Sequence, residues 1–589
     1  MHGKYANNFI QSNFDPSDLI TEWKIDKESI QFWINLKGAP MIFVPVIDDK
    51  ISHIYYYCSN CKRWFSINGS VKNIKRHVRT HIKNFQSNDN TNQNNKLNVF
   101  SEEQEKLIIE KIVLFILLDT QTFQYADNIY LNSLTKRLPN RKKITNILEK
   151  LSELTINEIK SNIVFSSSNS ITFDGWTSKN NLSYIGITIR SLINCQYKDY
   201  FLDLVELASD STAPELALQI NISLQKYDIT LNNVVSCTTD NCPVMNATAK
   251  ELNLLRIPCV CHILNLIFQT FVEECKSIID PFLESISYLG RSTKYTAYVK
   301  NNKLHKVPSY IETRWTSLCK SILSLLENKQ NLIDFCIQIG YTAPTYNQWE
   351  KLSKLKDLSK RYIEIMTFFE GDEFGASGFF LLYIDIIIDQ FKTLENTDFE
   401  AAARKARKKI NELKQTHSTF WEVLSPMALL LNPILPFKVL LSKQEIKRAK
   451  AGILNRIKKY SFLQTNYVQN QHDTFLNKYY TDENQEKKAP LEKILDERDL
   501  EFDTTVLKNF WFDKLKTSEK TLAYVAIDLL GMVITSVSSE RSFSRGRLII
   551  NDQRTKISSE HACQQMIVQI NKESVKNVIE RSNIQDLIK

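Results

Sequence analysis

The chain has 589 residues, of which 24% are charged and 43% hydrophobic, with a net charge of +9 and 11 cysteines. That length exceeds what one core organises, so roughly three to four domains are expected. The apolar and aromatic content excludes general disorder, and no apolar run reaches bilayer length. The opening residues lack the basic-then-apolar layout of a secretory signal, and an odd number of scattered cysteines suits a reducing compartment. An intracellular protein without disulfides is therefore expected. The overall charge is modest for this size, so local clusters say more: Lys136 to Lys143, "RKARKK" at Arg404 to Lys409, and "KRAKAGILNRIKK" at Lys447 to Lys459. Each has two readings, a solvated helix face or a phosphate-binding stripe.

Taken from the N-terminus, the first motif is Cys58-x2-Cys61, fifteen intervening residues, then His77-x3-His81. Two thiolates from a tight knuckle and two imidazoles from successive helical turns supply the tetrahedron that Zn²⁺ prefers. Trp64 and Phe65 offer a small core, while Lys72, Lys75, Arg76 and Arg79 put positive charge on the histidine-bearing helix, which suits DNA phosphates. A protein-binding zinc knuckle and a chance clustering are the alternatives. With Trp23 and Trp33 upstream, the module resembles a BED-type zinc finger, assigned to residues 1–85. The asparagine-rich "QSNDNTNQNNK" that follows reads as a flexible linker, 86–100.

Residues 101–162 read as helical, from "EEQEKLIIEKIVLFILLDTQTF" and "KITNILEKLSELTINEIK", with the basic turn "LTKRLPNRKK" between them. Arg141, Lys142 and Lys143 there are candidate DNA contacts. This connector is either a helical support or an adapter for DNA or a second subunit.

At Asn169 the pattern switches to period two with β-branched residues: "SITFDGWTS", "YIGITIRSL" and "DYFLDLVEL" predict three strands in an antiparallel meander. A helix over "TAPELALQINISLQKYD" and a buried strand, "NVVSCTTD", follow, then further helix. A β-β-β-α-β-α order is that of the ribonuclease H-like fold, where the first and fourth strands are neighbours. Asp174 and Asp240 would then lie side by side and repel each other unless a cation stood between them. Mg²⁺ accepts hard oxygen ligands and often uses only one or two carboxylates plus substrate phosphate. Two such ions activate the attacking oxygen and stabilise the leaving one in phosphoryl transfer.

"FDGWTS", "TTDNCPVM", "PCVCHILNL", "ETRWTS" and "SSERSFSRGRLIINDQRTKIS" stand in the order and spacing of the hAT superfamily of DNA transposases, which the chain resembles from the finger almost to the C-terminus. The resemblance implies an Asp, Asp, Glu triad at Asp174, Asp240 and Glu540, holding Mg²⁺ or Mn²⁺. It implies that Cys259 and His262 support the site; a metal reading that adds Cys261 stays open. It also implies that Arg314 and Trp315 act on unstacked DNA, where an aromatic face holds a base, although Trp315 alone would read as a core residue. Arg541 and Arg545, with Arg547, are candidate phosphate contacts or simple charge balance. Trp176 is expected in the core.

The fold class expected is a multidomain α+β/α protein: a ribonuclease H-like mixed-sheet core (163–278 and 516–589) interrupted by an all-helical insertion (279–515), with an N-terminal BED-type zinc finger. The C-terminal "SSEHACQQMIVQINK" is expected to make subunit contacts, or to pack as ordinary core. The implied activity is that of a nuclear, Mg-dependent, cut-and-paste transposase. It would bind double-stranded DNA at terminal inverted repeats, excise through flanking-DNA hairpins and join 3′-OH ends to target DNA as a homodimer or higher homo-oligomer. The rivals are a domesticated, non-catalytic DNA-binding regulator and a nuclease of the same fold without strand transfer.

Overall fold

In the computed structural model the described residues are 102–118, 138–164, 168–178, 181–193, 196–208, 211–310, 315–371, 374–467, 504–550 and 557–582, with isolated positions between, and the backbone of four strands within 33–66. Two compact units result, one of residues 1–116, 123–144 and 588–589, the other of 117–122 and 145–587. The first holds an antiparallel meander, β1 (Trp33–Leu36), β2 (Ala39–Asp48), β3 (Ile51–Cys58) and β4 (Arg63–Ser66), paired in sequence order. Cys58 closes β3; its side chain, and Cys61, Lys72, Lys75, Arg76, His77, Arg79 and His81, lie outside the described residues. Helix α1 (Glu102–Leu118) follows, and then α2 (Arg141–Ile163), at whose start Arg141 and Lys142 are exposed.

The second unit is built on a mixed sheet. β5 (Asn169–Thr177), β6 (Ser183–Ile193) and β7 (Gln196–Leu207) form the antiparallel meander, and β8 (Ser236–Thr239) and β9 (Arg256–Pro258) add in parallel, giving the order β7-β6-β5-β8-β9. The first and fourth strands of this sheet are thus neighbours, as their order in the sequence suggested. β9 escaped the period-two pattern because three residues ending in proline are too few to show one.

Alternation along the strands divides the sheet into two faces. Ile171 and Phe173 of β5, with Ile185, Ile187 and Ile189 of β6, pack against the end of α2, α3 (Ala213–Gln225) and α4 (Pro243–Glu251). The start of α3 is set by Glu215, whose Oε2 accepts the Thr212 amide at 2.8 Å, the acidic arm of a capping box. The opposite face carries Trp176, Tyr184, Phe201 and Leu204.

Helix α5 (Val260–Glu274) leaves the sheet for a large helical region: α6 (Lys276–Arg291), α7 (Thr293–Asn301), α8 (Trp315–Glu327), α9 (Lys329–Ile339), α10 (Tyr346–Ser353), α11 (Lys356–Gly371), α12 (Ala376–Thr393), α13 (Glu400–Thr416), a π-helical turn at Thr419–Leu424, α14 (Ser425–Leu430), α15 (Phe437–Leu440), α16 (Lys443–Tyr467) and α17 (Thr504–Lys514). One apolar core runs through it, with Tyr362, Phe369, Phe379 and Trp511 fully buried. The chain then returns as α18 (Lys520–Leu530), α19 (Val537–Ile549), α20 (Ser559–Ile570) and α21 (Lys572–Ser582). Among the described residues no helix is long and apolar enough to cross a membrane.

Most of the basic run on α13 is consumed within the fold. Lys405 pairs with Glu274 of α5 at 2.7 Å, Arg404 with Glu400 at 2.5 Å, and Arg407 with Glu395 at 2.7 Å. The solvated-face reading describes these three.

Asp528 of α18 is buried, and its pKa is pushed up to about 7, chiefly by burial, with the Ser168 hydroxyl and the Arg456 charge opposing. A folded-state pKa above the unfolded value means the folded chain holds a proton that the unfolded chain has lost. The stability this contributes is complete below about pH 4 and is lost as pH rises through about 7. Melting curves of Asp528→Asn are therefore expected to lose that part of the wild-type decline between about pH 4 and 7; an unchanged pH profile would show Asp528 is ionised throughout.

Candidate active site

Parallel pairing of β5 with β8 sets Ser170 beside Ser236, Ile171 beside Cys237 and Thr172 beside Thr238. Continuing that register by two residues sets Asp174 beside Asp240, just past the end of β8. Both aspartates are half-buried. Asp174 Oδ1 accepts the Gly175 amide at 2.8 Å, and Asp240 Oδ1 accepts the Cys242 amide at 3.1 Å.

Glu540 reaches this place on the first turns of α19, where its side chain is exposed. The serines around it stitch the helix to the sheet. Ser539 Oγ lies 2.9 Å from Thr172 Oγ1, and Ser538 Oγ lies 3.2 Å from Thr172 Oγ1 and 3.0 Å from Thr188 Oγ1. The two threonine hydroxyls are also bonded to each other. Such a buried hydroxyl cluster fixes orientation as well as position, because each member satisfies another. The segment before α19 is tied to the Asp240 side: Thr238 Oγ1 donates to the Val533 carbonyl, and the Val260 amide donates to the Ile534 carbonyl at 2.8 Å.

Electrostatics register the convergence. The Asp174 pKa is pushed up to about 8, first by burial, then by Asp240, Cys259 and, more weakly, Glu540, while the Gly175 amide opposes. Carboxylates that disfavour one another's ionisation offer hard oxygens whose repulsion a divalent cation would relieve. Among the described residues no three His, Cys, Asp or Glu side chains close around one point as a finished metal cage. The acids form an open set, compatible in donor chemistry with an ion that keeps waters and takes oxygens from a phosphate.

Cys259 and His262 sit at the start of α5, beside this set. Cys259 is buried, its Sγ accepts the Ser536 amide at 3.3 Å, and its pKa falls to about 7, principally through a hydrogen bond from the Cys261 thiol and against the effect of burial. Cys261 moves the opposite way, well above the ordinary thiol value. The half-buried His262 is held below its ordinary pKa by burial, with Asp240 opposing and the Arg256 charge adding to the decrease. Arg541 donates from Nη2 to the Glu370 carbonyl at the end of α11, at 2.5 Å, so one of its donors serves the helical region. Arg545 is half-buried on the same helix. Arg314 and the side chain of Trp315, the first residue of α8, lie outside the described residues. In the C-terminal helix, Met566 and Ile567 are buried against Trp176 and Phe543, and Val568 is buried too.

Two contributors gave no signal in the sequence. Arg256 of β9 binds Thr239, the last residue of β8, and the two residues that follow it, Asp240 and Asn241. Gly186 of β6 pairs directly with Asp174, and a Cβ built there would lie 2.5 Å from the Phe543 ring. The missing side chain lets Phe543, three residues after Glu540, seat on the sheet, with its ring stacked 5.8 Å from that of Trp176. Gly186→Ala is expected to cost about 1–3 kcal/mol, as overpacking does, and Phe543→Leu in the same chain to recover part of it in melting experiments. No recovery would mean that Phe543 is not the obstacle.

Two family models match the chain. Residues 172–259 match the ZBED1 RNase-like domain, and residues 490–571 match the hAT family C-terminal dimerisation region. No curated protein matches it. The first matched segment contains Asp174, Asp240 and Cys259, and the second contains Glu540 with the helix that packs against Trp176. Together the two matches support an hAT-family transposase-like protein.

Proposed function

We propose that the protein is a catalytic DNA transposase that cuts at terminal inverted repeats and joins the freed 3′-hydroxyls to target DNA. Support comes from one observation above all: the β5–β8 register carries Asp174 and Asp240 to one place, where α19 brings Glu540, and where burial, then Asp240 and more weakly Glu540, raise the Asp174 pKa to about 8. Asp174, Asp240 and Glu540 would hold Mg²⁺ or Mn²⁺, which supplies Lewis-acid polarisation of phosphate oxygens and activation of the attacking oxygen. The chain's own part is to keep the carboxylates turned toward one place, through the Thr172, Thr188, Ser538 and Ser539 hydroxyls on one side and the Arg256 contacts on the other. The sheet β5–β9 and the returning helices α18–α21 belong, in this reading, to one ribonuclease H-like core interrupted by the helical region 279–515. Cleavage of repeat-bearing DNA by the purified chain tests it; specific end binding with no cleavage in Mg²⁺ or Mn²⁺ would favour the regulator, and cleavage without joined products a nuclease.

The remaining parts of the reading follow the same logic. Cys58, Cys61, His77 and His81 would hold Zn²⁺ in a BED-type finger whose Lys72, Lys75, Arg76 and Arg79 meet DNA phosphates. Full-length protein should then carry one zinc that Cys58→Ser with Cys61→Ser removes; equal zinc in both would sink the assignment. Nuclear localisation follows from a DNA substrate and is checked by imaging a tagged chain. Homodimerisation is inferred from the matched C-terminal region, and a monomeric mass in solution would contradict it.

A further inference from the structure

We infer that Arg256 is a positioning residue for the cation site, an inference that rests on the reading of Asp240 as a metal-holding acid. β9 is only three residues long, and its register, Cys237 with Arg256 and Thr239 with Pro258, directs the Arg256 side chain along the end of β8. There the half-buried guanidinium donates from Nε to Thr239 Oγ1 at 2.9 Å, and from Nη2 to the Asp240 carbonyl at 2.6 Å and to Asn241 Oδ1 at 3.0 Å. One planar fork therefore grips three consecutive residues. The middle one is the proposed ligand, held through its backbone so that its carboxylate remains available.

Strand pairing alone would leave this place loose. The β5–β8 register ends at Thr172 and Thr238, and Asp240 lies beyond the last residue of β8. The direction of its side chain depends on where the chain turns after Thr239, which the fork holds together with the Cys242 amide that Asp240 Oδ1 accepts at 3.1 Å. His417, at the end of α13, is buried and also feels the Arg256 charge; burial first and that charge second lower its pKa to about 4, so it stays neutral and adds no second cation beside the fork.

Charge and geometry predict opposite results here. If Arg256 acted only as a positive charge near the site, removing it would strengthen cation binding. If it positions Asp240, losing the fork weakens binding even when the charge is kept, because an ammonium is a point charge that cannot span three acceptors in one plane. Partners that orient metal ligands typically account for roughly 10–100-fold in metal affinity.

The test is Mn²⁺ binding to the full-length chain, read from the spectroscopic signal of free Mn²⁺ and needing no DNA and no turnover. Wild type, Arg256→Lys, Arg256→Met and Asp240→Asn are compared, with metal-free melting as a control on folding. Expected are a loss of site binding in Asp240→Asn and a weakening of about tenfold or more in Arg256→Lys, with melting near wild type; Arg256→Met should also weaken. Wild-type affinity in Arg256→Lys, or tighter binding in Arg256→Met, overturns the inference while Asp240 keeps its role. Equal binding in wild type and Asp240→Asn removes the metal reading of Asp240, and the positioning role with it. If Arg256→Met does not fold, Arg256→Lys decides alone.

Discussion

Asp174→Asn, Asp240→Asn and Glu540→Gln are each expected to lower Mg²⁺-dependent cleavage of repeat-bearing DNA by roughly 10³-fold or more while leaving end binding intact. The magnitude follows from the several kcal/mol that a metal contributes to a phosphoryl-transfer transition state, with about 1.4 kcal/mol to each factor of ten. Stability should move the other way in Asp174→Asn. The Asp174 pKa lies above the ordinary carboxylate value, so its contribution to stability is complete below about pH 4 and is lost as pH rises through about 8. An amide keeps the neutral form at every pH. Without metal, Asp174→Asn should melt above wild type at pH 8 and equal it near pH 4, and Mg²⁺ should raise the melting temperature of wild type only. Cleavage retained by any of the three variants removes that residue from the proposed set; a lower melting temperature for Asp174→Asn at pH 8 would mean that its charge is welcome in the fold.

Asp203→Ala is expected to cost the fold about 1–3 kcal/mol, the usual loss when buried donors are left unsatisfied, since the half-exposed Lys226 can turn to water. Asp203 lies on β7, at the register shift where Ile187 pairs with Asp203 but Thr188 with Phe201. β7 is an edge strand, so a side chain there can reach elements on both faces. The buried carboxylate accepts Ser223 Oγ and Lys226 Nζ, each at 2.6 Å, and the Cys563 thiol and the Leu204 amide, each at 3.0 Å. Ser223 and Lys226 belong to or adjoin α3, and Cys563 belongs to α20, so this one carboxylate joins helices packed on opposite faces of the sheet. The measurement is a fall of several degrees in melting temperature, with a smaller fall for Cys563→Ala, which removes one weak donor. Equal effects of the two substitutions would mean that the ion pair adds little.

Much of the sheet-bearing half was legible in the sequence, and the reason is local. Period-two runs specify strands, and a meander followed by a crossover helix leaves few ways to add the next strand. That is why the strand order alone pairs Asp174 with Asp240. Glu540 was legible only through its motif, since a lone acid on an amphipathic helix resembles any solvated acid. Trp176 was correctly expected in the core, and its burial against Tyr184 and Phe543 follows from strand alternation.

By itself, then, the sequence determined the first four strands of the mixed sheet, most of the helices and which aspartates the strand order brings together, because backbone periodicity and connection rules act over tens of residues. Only the tertiary structure decided that Gly186 must lack a side chain, that Arg256 grips the end of β8, that Asp203 joins two layers, and that Met566 and Ile567 are spent within the chain. Each of these depends on contacts between residues far apart in sequence, and a glycine, an arginine, an aspartate or a methionine carries no mark of the neighbour it will meet.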